Sequence, residues 1–332
     1  MGRMAARHVA AYRGEGRVEV VACCGRRFEP AQAFAAEQGI SRAFTDFRRM
    51  LSEVPLDILS VVTHAPSHAE ITIAAAEAGV PCILCEKPMA TSVAEADAMI
   101  SACERAEVRL SINHCRRWWG AYHRLFEKLT DGSLGQVRHL HFTCGGGRLG
   151  CNGPHAFDLM RLLTGSEAEE VVGVLDAESA PDPRGSEFDD PGGFGQILFA
   201  NGARATLDMS GDLGVPGVWE ITCSDGRVRV DELGGAWTIF SRGREHQAKP
   251  AHARYPIPLE STGWEVERLD IVRLTQAAVA ELFSKAPLSC SGADGRTALE
   301  IAVAFHISHR EGHRPVRVPL QENQRNLRLA IA

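Results

Sequence analysis

Residues 82–88 read Cys82-Ile83-Leu84-Cys85-Glu86-Lys87-Pro88. Four apolar residues without alternation suit a strand buried on both faces, as in a parallel sheet covered by helices. The charged pair and the proline then mark where the chain leaves the sheet, because proline donates no backbone hydrogen bond. Working outward, Ile58-Leu59-Ser60-Val61-Val62 is a second such run, and Val18-Glu19-Val20-Val21-Ala22-Cys23, bounded by Gly16 and Gly25, is a third. Arg109 to Ile112 supplies a fourth. Between them lie stretches with helical spacing: Pro30 to Gln38, His68 to Ala78 stopped by Gly79, and the capping box Ser92-Val93-Ala94-Glu95 opening a helix to Ala106. Strands alternating with helices over 18–113 predict a doubly wound α/β domain. Ligands of such sheets bind beyond the carboxyl ends of the strands, which puts Gly25, Thr63 to His68, Glu86 to Pro88 and Asn113 to Arg117 on one rim.

After about Trp119 the pattern changes. Helices are predicted at Ala121 to Thr130 and Ala156 to Leu163, and strands at Val137 to Cys144, Val171 to Leu175, Gly195 to Ala200 and Ala203 to Met209. Asn201-Gly202 and Ser224-Asp225-Gly226 read as hairpin turns. Ala180 to Gly193, rich in Pro, Gly and Asp, reads as an exposed loop, and two closing helices fall near Val266 to Phe283 and Arg296 to His309. This half is α+β with an open-faced antiparallel sheet. The 332 residues thus divide into domains 1–118 and 119–332, in keeping with roughly 150 residues per domain.

A net charge of −6 argues against nucleic-acid or electrostatic membrane partners. Ten cysteines without framework spacing fit reduced thiols in a cytoplasmic protein, and Cys82 and Cys85, three apart in one strand, point to opposite faces, so no metal is expected. Of the 36 basic residues only four are Lys. That makes Lys87, at a ligand-binding rim, a candidate catalytic group, against the plainer reading of a surface turn with a Glu86–Lys87 ion pair.

The runs Thr63-His64-Ala65-Pro66-Ser67-His68, Glu86-Lys87-Pro88, Asn113-His114-Cys115-Arg116-Arg117-Trp118, Gly132-Ser133-Leu134-Gly135 and His155-Ala156-Phe157-Asp158 follow one another in an order that resembles the Gfo/Idh/MocA family of NAD(P)-dependent oxidoreductases. The resemblance spans essentially the whole chain. It implies a Rossmann domain, a second domain whose sheet commonly forms a dimer interface, and hydride transfer between a nicotinamide and a sugar, cyclitol or related hydroxyl. Lys87 matches the family's active-site lysine, which orients the reacting oxygen. His155 matches the histidine at the start of the second-domain helix, the proton acceptor when an alcohol is oxidised. Thr63, Pro66, His68, Glu86 and Lys87, on the rim, are candidate cofactor-binding residues, and Asn113, Asn152, Arg116 and Cys151 candidate substrate-binding ones. The family often has Asp four residues before the histidine; here that position is Cys151. Asp158, one turn after His155, is expected to orient the helix or the imidazole. Arg116, Arg117 and Arg148 are candidates for an anionic group, or plain surface ion-pair partners, and Trp118-Trp119 could wall the site or pack as core.

NAD-preferring sites put an acid at the end of the second strand. This chain has Gly25-Arg26-Arg27 there, two guanidiniums suited to a 2′-phosphate, so NADP is expected over NAD. Gly2, Arg3 and Met4 resemble the second half of the Gly-x-Gly-x-x-Gly turn. The first strand and first glycine are absent, and the expectation is a reading frame that starts upstream of Met1; the alternative is a poorly folding or inactive fragment. Taken together, the reading is an NADP-dependent dehydrogenase or reductase of a sugar, polyol or cyclitol, a homodimer or homotetramer through the second-domain sheet. The alternative is a non-catalytic NAD(P)-binding sensor.

Overall fold

The computed structural model describes residues 2–179 and 181–332; Met1 and Ala180, which open two stretches singled out above, lie outside the described residues. The chain runs α1 (Arg3–Glu15), β1 (Ala22–Cys24), α2 (Phe28–Glu37), β2 (Arg42–Phe44), α3 (Phe47–Glu53), β3 (Ile58–Val61), α4 (His68–Glu77), β4 (Cys82–Cys85), α5 (Val93–Arg105) and β5 (Arg109–Ile112). It continues with α6 (Gly120–Thr130), β6 (Val137–Thr143), α7 (Leu149–Thr164), β7 (Ala168–Leu175), β8 (Gly193–Phe199), β9 (Arg204–Asp208), β10 (Val218–Cys223), β11 (Arg227–Asp231) and β12 (Trp237–Ser241). It closes with α8 (Ala251–Arg254), β13 (Glu260–Trp264), α9 (Ile271–Leu282), α10 (Gly292–Arg310) and β14 (Val316–Arg317). Two compact units result: the chain to Trp118 with Asp270–Arg296 and Ala332, and Trp119–Leu269 with Thr297–Ile331. Residues 270–296, assigned to the second domain from sequence, therefore cluster with the first unit.

In the first unit the strands are parallel, as the alternation predicts, in two pieces among the described residues: β1-β2 and β3-β4-β5. The strand expected over Val18–Cys23 is confined to Ala22–Cys24, because its partner β2 offers only three residues to pair with, Arg42 to Phe44. Ser92 caps α5 as its capping box predicts, accepting from Glu95 N. Helix α9 lies beside α1, and Ala278, Val279 and Leu282 of α9 close a buried cluster with Tyr12, Cys82 and Leu84. A second cluster joins Ala5 and Val9 of α1 to Cys23, Phe34, Ala35 and Ile40.

In the second unit one nine-stranded sheet has the order β13-β12-β11-β10-β6-β9-β8-β7-β14. It is mixed rather than antiparallel: β6 and β9 run parallel, Leu140 opposite Ala205. The chain leaves β6 through α7 and returns by the β7–β8 hairpin, a crossover long enough to bring β9 in from the same end. The hairpins at Asn201-Gly202 and Ser224–Gly226 form as expected. One face of the sheet packs on helices. Gly173 and Gly195 are cross-strand partners, and a Cβ on either would meet Phe305 at 2.7 or 2.5 Å. The glycine pair makes the groove into which this ring of α10 settles, stacked on Phe157 of α7 with centroids 5.3 Å apart. On β8, Phe194 and Leu198 remain 49% and 41% exposed, on the opposite side from buried Ile197 and Phe199. Trp119 is core, packed edge-on against Tyr122 and Trp237. Among the described residues no helix is long and apolar enough to cross a membrane.

Candidate active site

Register brings the rim residues of the first unit level with one another. Val61 pairs with Cys85 and Cys85 with Ile112, so the next residues along each strand emerge together. Glu86 N donates to Val61 O at 2.9 Å, and Asn113 N to Cys85 O at 2.8 Å. These bonds extend the ladder one step past the strands and fix the backbone on which Lys87 sits, half-buried. His68, 1% exposed, ties two rim loops together: its ring nitrogens lie 2.9 Å from Pro88 O and 3.0 Å from Thr63 O. Burial pushes this imidazole below its ordinary pKa, against the pull of those two carbonyls. Thr63 Oγ1 accepts from Ser67 Oγ at 2.7 Å.

Behind Lys87 lies a polar network that the sequence reading missed. Glu86 is buried and accepts from Asn113 Nδ2 at 2.7 Å; His8 Nε2 stands 2.8 Å from the same oxygen. The other His8 nitrogen lies 2.6 Å from Ser60 Oγ, and Asn113 Nδ2 also reaches Thr275 Oγ1 at 3.3 Å. Burial pushes the Glu86 carboxyl up, but the hydrogen bond and charge of His8, then Asn113 and Lys87, outweigh it and hold the group below its usual range. A buried carboxylate stripped of its main partner is costly, so His8→Ala is expected to remove about 3–5 kcal/mol of stability. A depressed carboxyl pKa contributes stability above the unfolded value, lost as pH falls through the folded one. The gap between His8→Ala and the parent in urea unfolding should therefore be widest above about pH 5 and narrow with acid. A gap that stays constant with pH would mean that Glu86 is not the group involved.

Three features of this unit fit a dinucleotide. Gly2 precedes α1, whose first turn holds no acidic residue and no side-chain cap among the described residues, a helix N-terminus of the kind that accepts an anion. Gly25, Arg26, Arg27, Pro30 and Ala31 line a small cavity of about 120 Å³, with both guanidiniums exposed. Asn113 Oδ1, at the end of β5, is buried with no hydrogen-bond partner among the described residues, an acceptor suited to an amide N–H.

In the second unit His155 is half-buried and Asn152 exposed. The expected helix start at Ala156 is too late: α7 begins at Leu149, so His155 sits in its second turn, with Pro154 inside the helix. Asp190 moves the start upstream, accepting from Gly150 N and Cys151 N. No local pattern signals a cap that lies 40 residues away. Asp190 is 4% exposed, so the end of the loop read as exposed is in fact buried. Asp158 is buried with Arg161 at 3.6 Å, which ties it to its own helix. Arg117 and Arg148 are committed to ion pairs, with Asp294 at 3.2 Å and Asp182 at 3.8 Å, which favours their reading as structural partners over anion binding. Arg116 is half-exposed at the rim.

A parallel sheet with a polar rim, and a helix α1 with no side-chain cap among the described residues, make a frame suited to a dinucleotide. Family comparison agrees: residues 1–114 match the oxidoreductase family with an NAD-binding Rossmann fold, and 122–229 match the GFO/IDH/MocA C-terminal domain. The chain belongs to the Gfo/Idh/MocA oxidoreductases. It is 27% identical to the D-apiose dehydrogenase of Paraburkholderia graminis over 92% of this chain and 84% of that one. It is 26% identical to the myo-inositol 2-dehydrogenase of Thermotoga maritima over 59% of this chain and 62% of that one. An oxidoreductase from Agrobacterium radiobacter, solved with NAD+, L-tartaric acid and magnesium, shares the fold with a TM-score of 0.78 at 20% identity, over 95% of this chain and 96% of that one.

Proposed function

We propose that this protein is an NADP-preferring dehydrogenase or reductase acting on a CH–OH group of a sugar, polyol or cyclitol. The observation that carries the reading is the rim of the parallel sheet in a chain of this family, where Glu86 N and Asn113 N extend the ladder on either side of the strand that leads to Lys87 and the side chains of Glu86, Asn113 and His8 form one buried network. The names of the relatives, a sugar dehydrogenase and a cyclitol dehydrogenase, support the substrate class. Gly2, Arg3 and Met4 would hold the pyrophosphate, Arg26 and Arg27 the ribose end, and Thr63, Pro66, His68 and Glu86 the loops around the nicotinamide. Bound nicotinamide supplies the hydride acceptor for oxidation, or the donor for reduction. Lys87 orients the reacting oxygen and stabilises its negative charge. His155 takes the hydroxyl proton in oxidation and returns it in reduction, a role to which the imidazole side chain is suited as general acid and base. Asn152, Asn113, Arg116 and Cys151 shape the substrate's surroundings. The apolar patch at Phe194 and Leu198 supports pairing of two copies through the open sheet face.

The experiment is a 340 nm assay across sugars, polyols and inositols with each cofactor. Turnover with none of them, alongside intact cofactor binding, would favour a sensor instead. The cofactor preference has its own test, since the Agrobacterium protein was solved with NAD+. Each charge-assisted bond to a phosphate contributes about 1.5–3 kcal/mol, so replacing both Arg26 and Arg27 by Ser should weaken NADP at least about 100-fold and leave NAD within threefold. Equal weakening of both cofactors, by calorimetry, would remove the 2′-phosphate reading.

A further inference from the structure

Four residues before His155, where the family resemblance leads to an expected carboxylate, the chain has Cys151. The structure nonetheless brings a carboxylate to that turn. Asp190 Oδ1 accepts from Gly150 N at 2.7 Å and its Oδ2 from Cys151 N at 2.9 Å. The approach depends on a missing side chain: a Cβ on Gly150 would lie 2.9 Å from Asp190 Oδ1 and 2.6 Å from Ile331 Cγ2. Helix α7 has no local substitute for this cap. Arg148 precedes it in the left-handed region at φ 64, with no side-chain cap, and the first turn carries no acid. In the first turn Leu149 N donates to Pro191 O at 2.9 Å, while the N–H groups of Gly150 and Cys151 and the positive end of the helix dipole are met by the Asp190 carboxylate from the same distant segment.

We propose that Asp190 is a positioning residue whose ionised carboxylate holds the first turn of α7, and through it the attitude of Asn152 and His155. This rests on the role given to His155 above. The ionised form accepts on both oxygens; protonation turns one acceptor into a donor and gives up one of the two bonds. Burial pushes Asp190 up to about 6, with the two N–H groups and Arg148 opposing and Asp182 adding to the rise. The other charges nearby are Arg184, 3.4 Å from Asp182 and 3.9 Å from Cys151 Sγ, and Asp189, whose charge is felt by His306 of α10. Leu329 and Ile331, packed against Gly150, bring no charge of their own. The hold on α7 should accordingly loosen as pH falls from about 7 to 5, the span on either side of the shifted value.

Amide hydrogen exchange over residues 149–155 in cofactor-free protein tests this without turnover. Protection in the parent, corrected for intrinsic exchange, should fall about tenfold from pH 7 to 5, in line with loss of roughly one hydrogen bond. Asp190→Asn should show the low protection already at pH 7 and no further dependence on pH. In the assay that variant should lose about tenfold or more in kcat with KM within twofold, as expected of a displaced proton acceptor. Protection that is flat with pH in the parent would overturn the proposal, as would Asp190→Asn with a lower melting temperature but unchanged kcat. If Asp190→Asn does not fold, the parent's exchange profile decides alone. If the parent turns over no substrate, the proposed function fails while the exchange experiment still judges Asp190.

Discussion

Lys87→Met is expected to lower kcat by about 10³-fold and leave the dissociation constant of the cofactor within threefold. The substitution keeps an unbranched stem of similar reach and removes only the ammonium. The backbone beneath it is held by bonds that do not involve the side chain, Glu86 N to Val61 O and Asn113 N to Cys85 O, so the fold should survive. On the proposed function, what is lost is a positive group that would face an oxygen gaining negative charge as its proton leaves. Removing one donor to a developing oxyanion costs roughly 10²–10³ in rate, about 2.7–4 kcal/mol, and loss of a full charge belongs at the upper end. Steady-state rates at 340 nm, with cofactor titrated by fluorescence, measure both quantities. A variant within tenfold of the parent would make Lys87 a charge partner of Glu86 rather than a catalytic group. A wild-type protein that binds cofactor and never turns over would make the chain a sensor.

Much of this site is readable along the chain because its parts are local. Cys82 to Pro88 announces a buried strand and its rim, and parallel register then brings Asn113 and Thr63 to the same rim with no further information. The parts that escape sequence reading are those built by distant pairs. His8 meets Glu86 across 78 residues and Asn113 across 105; nothing in the run Gly2 to His8 marks that histidine as a partner for a carboxylate. Asp190 looked like one acid in a Pro/Gly/Asp loop, and only tertiary structure shows it capping α7 and moving His155 one turn inward. Helix α9 was assigned by its place in the chain, whereas its apolar face chose α1 and Cys82. Strands β12 and β13 gave little alternation to read: Trp237 is buried, but most of the other positions are half-buried or exposed. Burial periodicity reports the side of an element that meets the core. It does not report which polar group, far away in sequence, completes a hydrogen bond.

The second large effect is expected at His155. Its replacement by Asn keeps a polar side chain of similar size that cannot accept a proton near neutral pH. A positioned general base contributes about 10²–10⁴ in rate, so kcat for oxidation should fall within that range while cofactor affinity is unchanged. Added imidazole should restore part of the rate to His155→Ala, which vacates the space of the ring, and none to Lys87→Met, because a diffusible base can replace a proton acceptor but not a group that orients the oxygen. Reduction should suffer equally, since the same imidazole must return the proton on the reverse path. Asn variants that lose substrate affinity and keep kcat would assign His155 to binding instead. The double variant gives the sharper test. If Lys87 and His155 serve one step at one oxygen, removing the second after the first costs little more, as with catalytic groups that act as a unit. If their penalties multiply, the two act independently, and the pairing of lysine with histidine in one proton transfer must be given up.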